Sequence, residues 1–326
     1  MTVVSKGPVV VGVGNPLVDV LAQTGPEAVA RHGLTAGGMH LIEAEAAAGL
    51  YKEIGPGVRQ AGGSVANTVA HLAGEPVAAR FVGKLGTDDL GDVFAGEFEA
   101  LDIGFETPRH ATVGTGRCMV MITPDGERTM STFLGAAQHL GPEDVVQSMP
   151  ESCDMVFIEG YLWDSPEGAA VVAEAAARAR KAGAQVAMTP SDAGCVERNA
   201  AAMRDFIAES CDVIVGNADE MCALADVESA QAALRWARGH VGTAAVTLSE
   251  NGCLVSDMVG TAALPAEPIA DVVDTTGAGD AYAAGLLGEL ANGSSVARAA
   301  ERATELGARV VQHTGARQAA PDRGAA

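Results

Sequence analysis

Asp274-Thr275-Thr276-Gly277-Ala278-Gly279-Asp280-Ala281-Tyr282-Ala283-Ala284-Gly285 follows the β-branched pair Val272-Val273 and leads into a small-residue run to Leu290. It reads as strand, glycine turn and helix start. Such a turn leaves the first backbone N–H groups of the helix unpaired and aims them, with the positive end of the helix dipole, at one point. That point is an anion site. Asp280 places a carboxylate beside it. The combination suits phosphoryl transfer: the carboxylate takes a proton from an attacking hydroxyl while Gly277, Ala278 and Gly279 N–H groups hold the transferring group. The same residues also suit an ordinary glycine turn with Asp280 as a first-turn acid.

The stretch DTTGAGDAYAAG resembles the C-terminal signature of the ribokinase family, also called the phosphofructokinase-B family, whose members phosphorylate sugars and nucleosides from ATP. A second motif, Gly62-Gly63-Ser64-Val65-Ala66-Asn67, lies at the expected N-terminal place, and the resemblance covers essentially the whole chain. It implies an α/β fold: one ribokinase-like three-layer α/β/α domain over residues 1–326, with a mostly parallel central sheet and a small β lid. The lid is expected from about 16–42 and 105–134, and residues 318–326 as a frayed tail.

Working back to the N-terminus, Val9 to Val13 is a continuous apolar run, the mark of a strand buried on both faces. Gly12-x-Gly14 invites a dinucleotide-binding reading, but Leu17 holds the third glycine position and Pro16 blocks a smooth helix start. The loop Gly14-Asn15-Pro16-Leu17-Val18-Asp19 instead resembles the substrate end of the first strand in nucleoside kinases. There the aspartate binds ribose hydroxyls, which makes Asp19 the substrate-orienting carboxylate and Asn15 its neighbour in the site. A carboxylate accepts two hydroxyl hydrogen bonds at once and discriminates against ligands lacking them. A solvated loop aspartate is the alternative.

In the second motif, Gly62 and Gly63 let backbone approach a ligand closely, and Asn67 lies one helical turn in. The family assigns this element to the phosphate-accepting substrate; glycines serving only helix packing are the alternative. Thr112 to Thr123 and Arg128 to Phe133 read as a hairpin around Pro124-Asp125-Gly126-Glu127. Arg128 either reaches the active site from the lid or braces that hairpin. Lys84 is expected to be structural. From Pro150 onward strands and helices alternate, as in a parallel sheet with ligands at strand C-termini.

The strand-end loop Gly216-Asn217-Ala218-Asp219-Glu220 resembles the family's N-x-x-E motif, which holds the Mg²⁺ and phosphate region. Mg²⁺ keeps several waters, so Asn217 and Glu220 need act only through them. The same pair also suits a helix cap. Thr247, Ser249 and Gly252 fall on a segment similar to the family's ATP-phosphate loop, with Ser249 where relatives commonly have Gly. The resemblance also brings His313, in Gln312 to Ala316, towards the ATP base and, in some members, a K⁺ ion near Asp274 and Thr276.

Bulk properties agree with a small-molecule enzyme. The chain has 326 residues, 48% hydrophobic, enough for a large core, and a net charge of −21 that argues against nucleic-acid or anionic-membrane partners. Six scattered cysteines without a C-x-x-C pair fit reduced thiols in the cytoplasm. The expected partners are ATP and a small-molecule acceptor, the protein being a monomer or a homodimer formed through the lid.

The N-P-L-V-D start and the hairpin look most like the adenosine-kinase branch, which implies transfer to a primary hydroxyl of a nucleoside. Leu17, Met39, Phe133 and Leu134 would suit a base slot or the lid core equally. A sugar kinase of the fructokinase, ribokinase or 2-keto-3-deoxygluconate kind is the alternative acceptor reading. A binding protein that keeps the fold without catalysis is a further class; against it, every catalytic position is filled by a competent residue.

Overall fold

The computed structural model describes residues 7–36, 38–55, 57–124 and 128–317. Val9–Val13 is apolar throughout because parallel neighbours flank it and helices cover both its faces: Ala78–Val82 lies on one side and Met155–Glu159 on the other. Outward from Met155–Glu159 come Gln185–Thr189, Val213–Asn217 and Thr243–Thr247, all parallel; beyond Ala78–Val82 comes the short parallel edge strand Gly104–Phe105. Cys253–Ser256 and Thr261–Leu264 close the other edge with antiparallel pairings, completing a nine-stranded sheet.

Successive side chains on a strand point to opposite faces, so each central strand feeds two cores. Val10, Phe157, Ala187 and Val215 join one core with helices Ser64–Leu72, Asp89–Ala100, Ala278–Ala291 and Val296–Val310. Val11, Val156, Ile158 and Ile214 join the other with helices Gly168–Ala182, Ala193–Ser210 and Ala230–Arg238. This is the three-layer α/β/α arrangement expected from the sequence. Phe81, Phe94, Phe98 and Phe105 cluster in the first core, so the chain's few aromatics serve packing there.

A second sheet has the order Met39–Leu41, Arg128–Phe133, Gly116–Ile122, Leu17–Gln23, Val58–Gly62. Gly116–Ile122 and Arg128–Phe133 are antiparallel, as a hairpin requires; of its turn, Asp125 to Glu127 lie outside the described residues, as do 318–326. Leu17–Gln23 pairs in parallel with Gly116–Ile122 and antiparallel with Val58–Gly62. Val58–Gly62 falls outside the spans expected for this sheet, and Gly104–Phe105 belongs to the large one. With Val58 and Arg59 exposed and only Ala61 and Gly62 buried, Val58–Gly62 carries little strand signal, and its place follows from pairing with Leu17–Gln23. Phe133 packs on this sheet's own small core and lies against the Arg117 guanidinium.

The parallel Val9, Met155, Gln185, Val213 and Thr243 strands all end on the same edge of the large sheet, where Val13 leads through a short loop into Leu17–Gln23 of the second sheet. Among the described residues no helix is long and apolar enough to cross a membrane.

Candidate active site

Gly277 opens the site with φ +78°, and its left-handed turn starts the helix Ala278–Ala291. A Cβ at Gly277 would come within 2.6 Å of the Ala316 Cα, so the position admits only glycine both by conformation and by space. Ala278 N–H donates to the Thr275 carbonyl at 3.2 Å, which takes it out of the open set. At this helix start the Gly277, Gly279 and Asp280 N–H groups have no partner among the described residues. Of the three donors expected from the turn, Ala278 therefore drops out, and the Asp280 N–H joins Gly277 and Gly279.

Asp280, in the first turn of that helix, receives two hydrogen bonds from the second motif. Ser64 Oγ donates to Oδ1 at 2.8 Å and Asn67 Nδ2 donates to Oδ2 at 3.0 Å. Ser64 and Asn67 are three positions apart on helix Ser64–Leu72 and hence share a face. Asn67 is 6% exposed and its Oδ1 has no partner. Burial pushes Asp280 up to about 6, against the bonds from Asn67 and Ser64 and the positive charge of Arg317.

Asp19 lies on Leu17–Gln23 opposite Gln60, beneath the start of the second motif. A Cβ on Gly62 would meet Asp19 Oδ2 at 2.5 Å, and one on Gly63, where φ is +99°, would meet the Asn15 carbonyl. These glycines thus let the two loops touch. Burial pushes Asp19 up to about 6 as well; Arg317 opposes this, and Asp280 and Glu97 add to it.

Glu159 holds the two loops in register. It ends its strand 1% exposed, accepting from Asn15 N–H at 2.7 Å and from Val65 N–H at 3.1 Å. Burial pushes it up to about 7 despite those bonds. The Asn15 side-chain amide, 3% exposed, lies beside it without a well-formed hydrogen bond of its own.

On the opposite side of the cleft are Thr189, Ser191, Asn217, Glu220 and Thr247. Asn217 and Glu220 form a capping box on helix Ala218–Ala225: Glu220 N–H donates to Asn217 Oδ1 at 2.9 Å and Asn217 N–H to Glu220 Oε2 at 3.1 Å. Burial pushes Glu220 up to about 7, its Asn217 bond opposing and Asp192 and Asp280 adding. The helix-cap reading therefore holds, and the cap itself lines the cleft. Among the described residues no group of three or more His, Cys, Asp or Glu side chains converges as a metal cage. Water-mediated Mg²⁺ bound mainly through phosphates fits this donor set; a directly ligated ion does not.

Ser249 sits at φ +52° in the short turn Ser249–Asn251, exposed and outside the cleft lining, while Gly252 at φ +86° packs against the Leu264 carbonyl. Of the three residues read as the ATP-phosphate loop, Thr247 alone lines the cleft. His313 is exposed in the turn after Val296–Val310. Lys84 forms a buried ion pair with Asp144 at 2.6 Å, as a structural lysine should.

Asp274 is fully engaged. Thr276 N–H and Oγ donate to its Oδ1 at 3.1 and 2.7 Å, Gly315 N–H donates to Oδ2 at 2.6 Å, and Arg128 Nη1 lies 2.6 Å from the same oxygen. Burial alone would raise this carboxyl, but the bonds from Gly315 and Thr276 and the Arg128 charge outweigh it and hold it below its ordinary value. Arg128 thus reaches from the second sheet to the signature turn. With Arg128 there, the Asp274 carboxylate does not fit a K⁺ site.

The sequence reading did not single out Ser64, Glu159 and Arg317. Ser64 lies inside the quoted second motif, and Glu159 is an acid ending an otherwise apolar strand, which is a readable signal. Arg317 gives none: it stands alone beside the C-terminal tail.

The pfkB family carbohydrate kinase model matches residues 36–323. Among solved structures, the adenosine kinase of Sinorhizobium meliloti is 35% identical, with a TM-score of 0.88 over 95% of this chain and 96% of that one. The aminoimidazole riboside kinase of Salmonella typhimurium is 32% identical over 80% of this chain and 84% of its own. The ATP-dependent ribose-1-phosphate kinase of Halopiger xanaduensis is 30% identical over 79% and 82%.

Proposed function

The chain belongs to the pfkB family of carbohydrate kinases, and from that premise we propose that it transfers the γ-phosphoryl group of ATP to a primary hydroxyl of a nucleoside. As a member of that family it is a phosphotransferase acting on an alcohol group. The observation that carries the proposal is Asp280, a carboxylate beside open N–H donors and fixed by Ser64 and Asn67. The names of the three relatives share a ribosyl unit in the acceptor: adenosine, aminoimidazole riboside and ribose 1-phosphate. Asp19, half-buried behind Gly62, would accept hydrogen bonds from two vicinal ribose hydroxyls.

In the mechanism, Asp19, with Asn15, Gly63 and Asn67, holds the acceptor so that its primary hydroxyl faces Asp280. Asp280 takes the hydroxyl proton as the oxygen bonds to the γ-phosphorus and the bond to the departing ADP oxygen breaks. The N–H groups of Gly277, Gly279 and Asp280 stabilise the charge on the transferring group. Thr247 and the Asn217–Glu220 cap face the phosphate side, where bound Mg²⁺ would neutralise phosphate oxygens. The second sheet acts as a lid that excludes water as a competing acceptor. The free thiols among the described residues and the use of ATP suit a cytoplasmic enzyme.

The test is ATP consumption by the purified protein with Mg²⁺ against adenosine, inosine, guanosine, cytidine, ribose, ribose 1-phosphate, fructose and ketodeoxygluconate. Turnover is expected with nucleosides. Turnover confined to sugars or sugar phosphates would reassign Asp19 to sugar hydroxyls and overturn the nucleoside reading; none with any hydroxylated acceptor would reject the kinase reading.

A further inference from the structure

Arg317 is 7% exposed, yet among the described residues its guanidinium makes one polar contact, Nη2 to Glu97 Oε2 at 3.4 Å, and its Nε has no partner. The segment Gly315–Arg317 is held from four sides. Gly315 N–H donates to Asp274, and the Ala316 carbonyl accepts from His71 Nε2 at 3.0 Å. Ala316 seals the space beside Gly277, and the Arg317 carbonyl accepts from Gln60 Nε2 at 3.4 Å, Gln60 standing opposite Asp19 in the second sheet. So much fixation holds one cation where Ala316 abuts the Gly277 turn and Gln60 stands opposite Asp19, its charge reaching three carboxylates, Asp19, Glu97 and Asp280. Two of these are the acceptor-site acids, from different elements.

We propose that Arg317 is a positioning residue for the acceptor site, whose buried guanidinium holds Asp280 as an anion facing the primary hydroxyl and Asp19 as an anion facing the vicinal hydroxyls of the acceptor. The inference rests on the kinase reading above. Carboxylates taken out of water tend to protonate, and a neutral Asp280 cannot accept a proton. Arginine suits this position because it stays charged where a lysine would lose its proton more readily. Its charge opposes protonation of both Asp19 and Asp280. The other groups facing these two are Glu97 from helix Asp89–Ala100, Arg128 from the second sheet, Glu159 at a strand end, Glu220 in the first turn of helix Ala218–Ala225, and Cys118, whose thiol burial pushes up to about 12. His71, on helix Ser64–Leu72, faces Arg317; burial, more than the arginine, favours its neutral form.

The experiment is the pH profile of kcat at saturating ATP and acceptor for the wild type, Arg317→Met and Arg317→Lys. The wild type is expected to lose activity below about pH 6, where Asp280 protonates. In Arg317→Met this limb moves up by about 1 pH unit or more, with activity recovering towards wild type above it, and Arg317→Lys moves it back. An unmoved limb with an equal loss at every pH would overturn the proposal and leave Arg317 a packing residue. Arg317→Met/Glu97→Gln, which removes the unpaired Glu97 charge as well, must show the same displaced limb should the single variant not fold. If the wild type turns over no acceptor, carboxyl NMR titration of Asp280, assigned with Asp280→Asn, reads the same quantity without turnover. An Asp280 midpoint unchanged by Arg317→Met in that titration rejects the proposal.

Discussion

Asn67 Nδ2 lies 3.0 Å from Asp280 Oδ2, joining residues 213 positions apart in sequence. The bond fixes the carboxylate's orientation from the helix that follows Gly62-Gly63, so the glycine-rich motif and the signature turn converge on one proton acceptor. Asp280→Asn is therefore expected to lower kcat by ~10²–10⁴ while leaving ligand affinity intact. Stopped-flow turnover together with calorimetric binding checks this, and near-normal turnover would remove Asp280 from the mechanism.

Asp19 is expected to act on the acceptor and not on ATP. Asp19→Ala should raise the acceptor KM by roughly 10–100-fold, the scale of a lost charged hydrogen bond of about 1.5–3 kcal/mol, with little change in the ATP KM. Gly62→Ala should produce the same pattern, because the added methyl meets Asp19 Oδ2 at 2.5 Å. Steady-state kinetics with each substrate varied in turn separates the two; an equal rise in both KM values would argue against this role.

The Arg128–Asp274 pair ties the second sheet to the signature turn, with side-chain exposures of 21% and 9%. Single variants Arg128→Ala and Asp274→Ala and their double should show a coupling of roughly 0.5–3 kcal/mol in urea unfolding. Strict additivity would mean that the contact contributes nothing to holding the sheet in place.

Glu159 gives stability a defined pH dependence. Its folded pKa is raised from 4.5 to about 7, so the folded state binds the extra proton across that window. The associated stability is fully present below about 4.5 and is lost as pH rises through about 7, an effect on the order of 3 kcal/mol. The difference in urea midpoint between wild type and Glu159→Gln should therefore change across this window and level off above it. A constant difference from pH 4.5 to 8 would show that Glu159 titrates alike in both states.

Ser249 occupies a left-handed backbone position that disfavours a side chain. Ser249→Gly is expected to stabilise the protein by up to about 1 kcal/mol in thermal or urea unfolding, the strain relieved exceeding the entropy glycine adds. Since Ser249 does not line the cleft, the KM for ATP should hold.

Local chemistry set much of this molecule in advance. The apolar run Val9 to Val13, the alternating elements after Met155 and the glycine turn before Asp280 each carry a short-range cause: burial on two faces, helix periodicity, a left-handed φ. They determine a parallel three-layer fold and an anion-binding turn with a carboxylate at its edge. Tertiary structure decided what no local pattern contains. Val58–Gly62 becomes a strand only through its partner Leu17–Gln23, and Ala278 is withdrawn from the anion site by the carbonyl of Thr275. Arg128 reaches Asp274 from the second sheet, and Glu159 links two loops through backbone N–H groups. The Arg317 charge reaches Asp19 and Asp280 only when the chain's C-terminal side folds back onto its beginning. Charges acquire their roles from distance and burial, and both are set by packing between residues far apart in sequence.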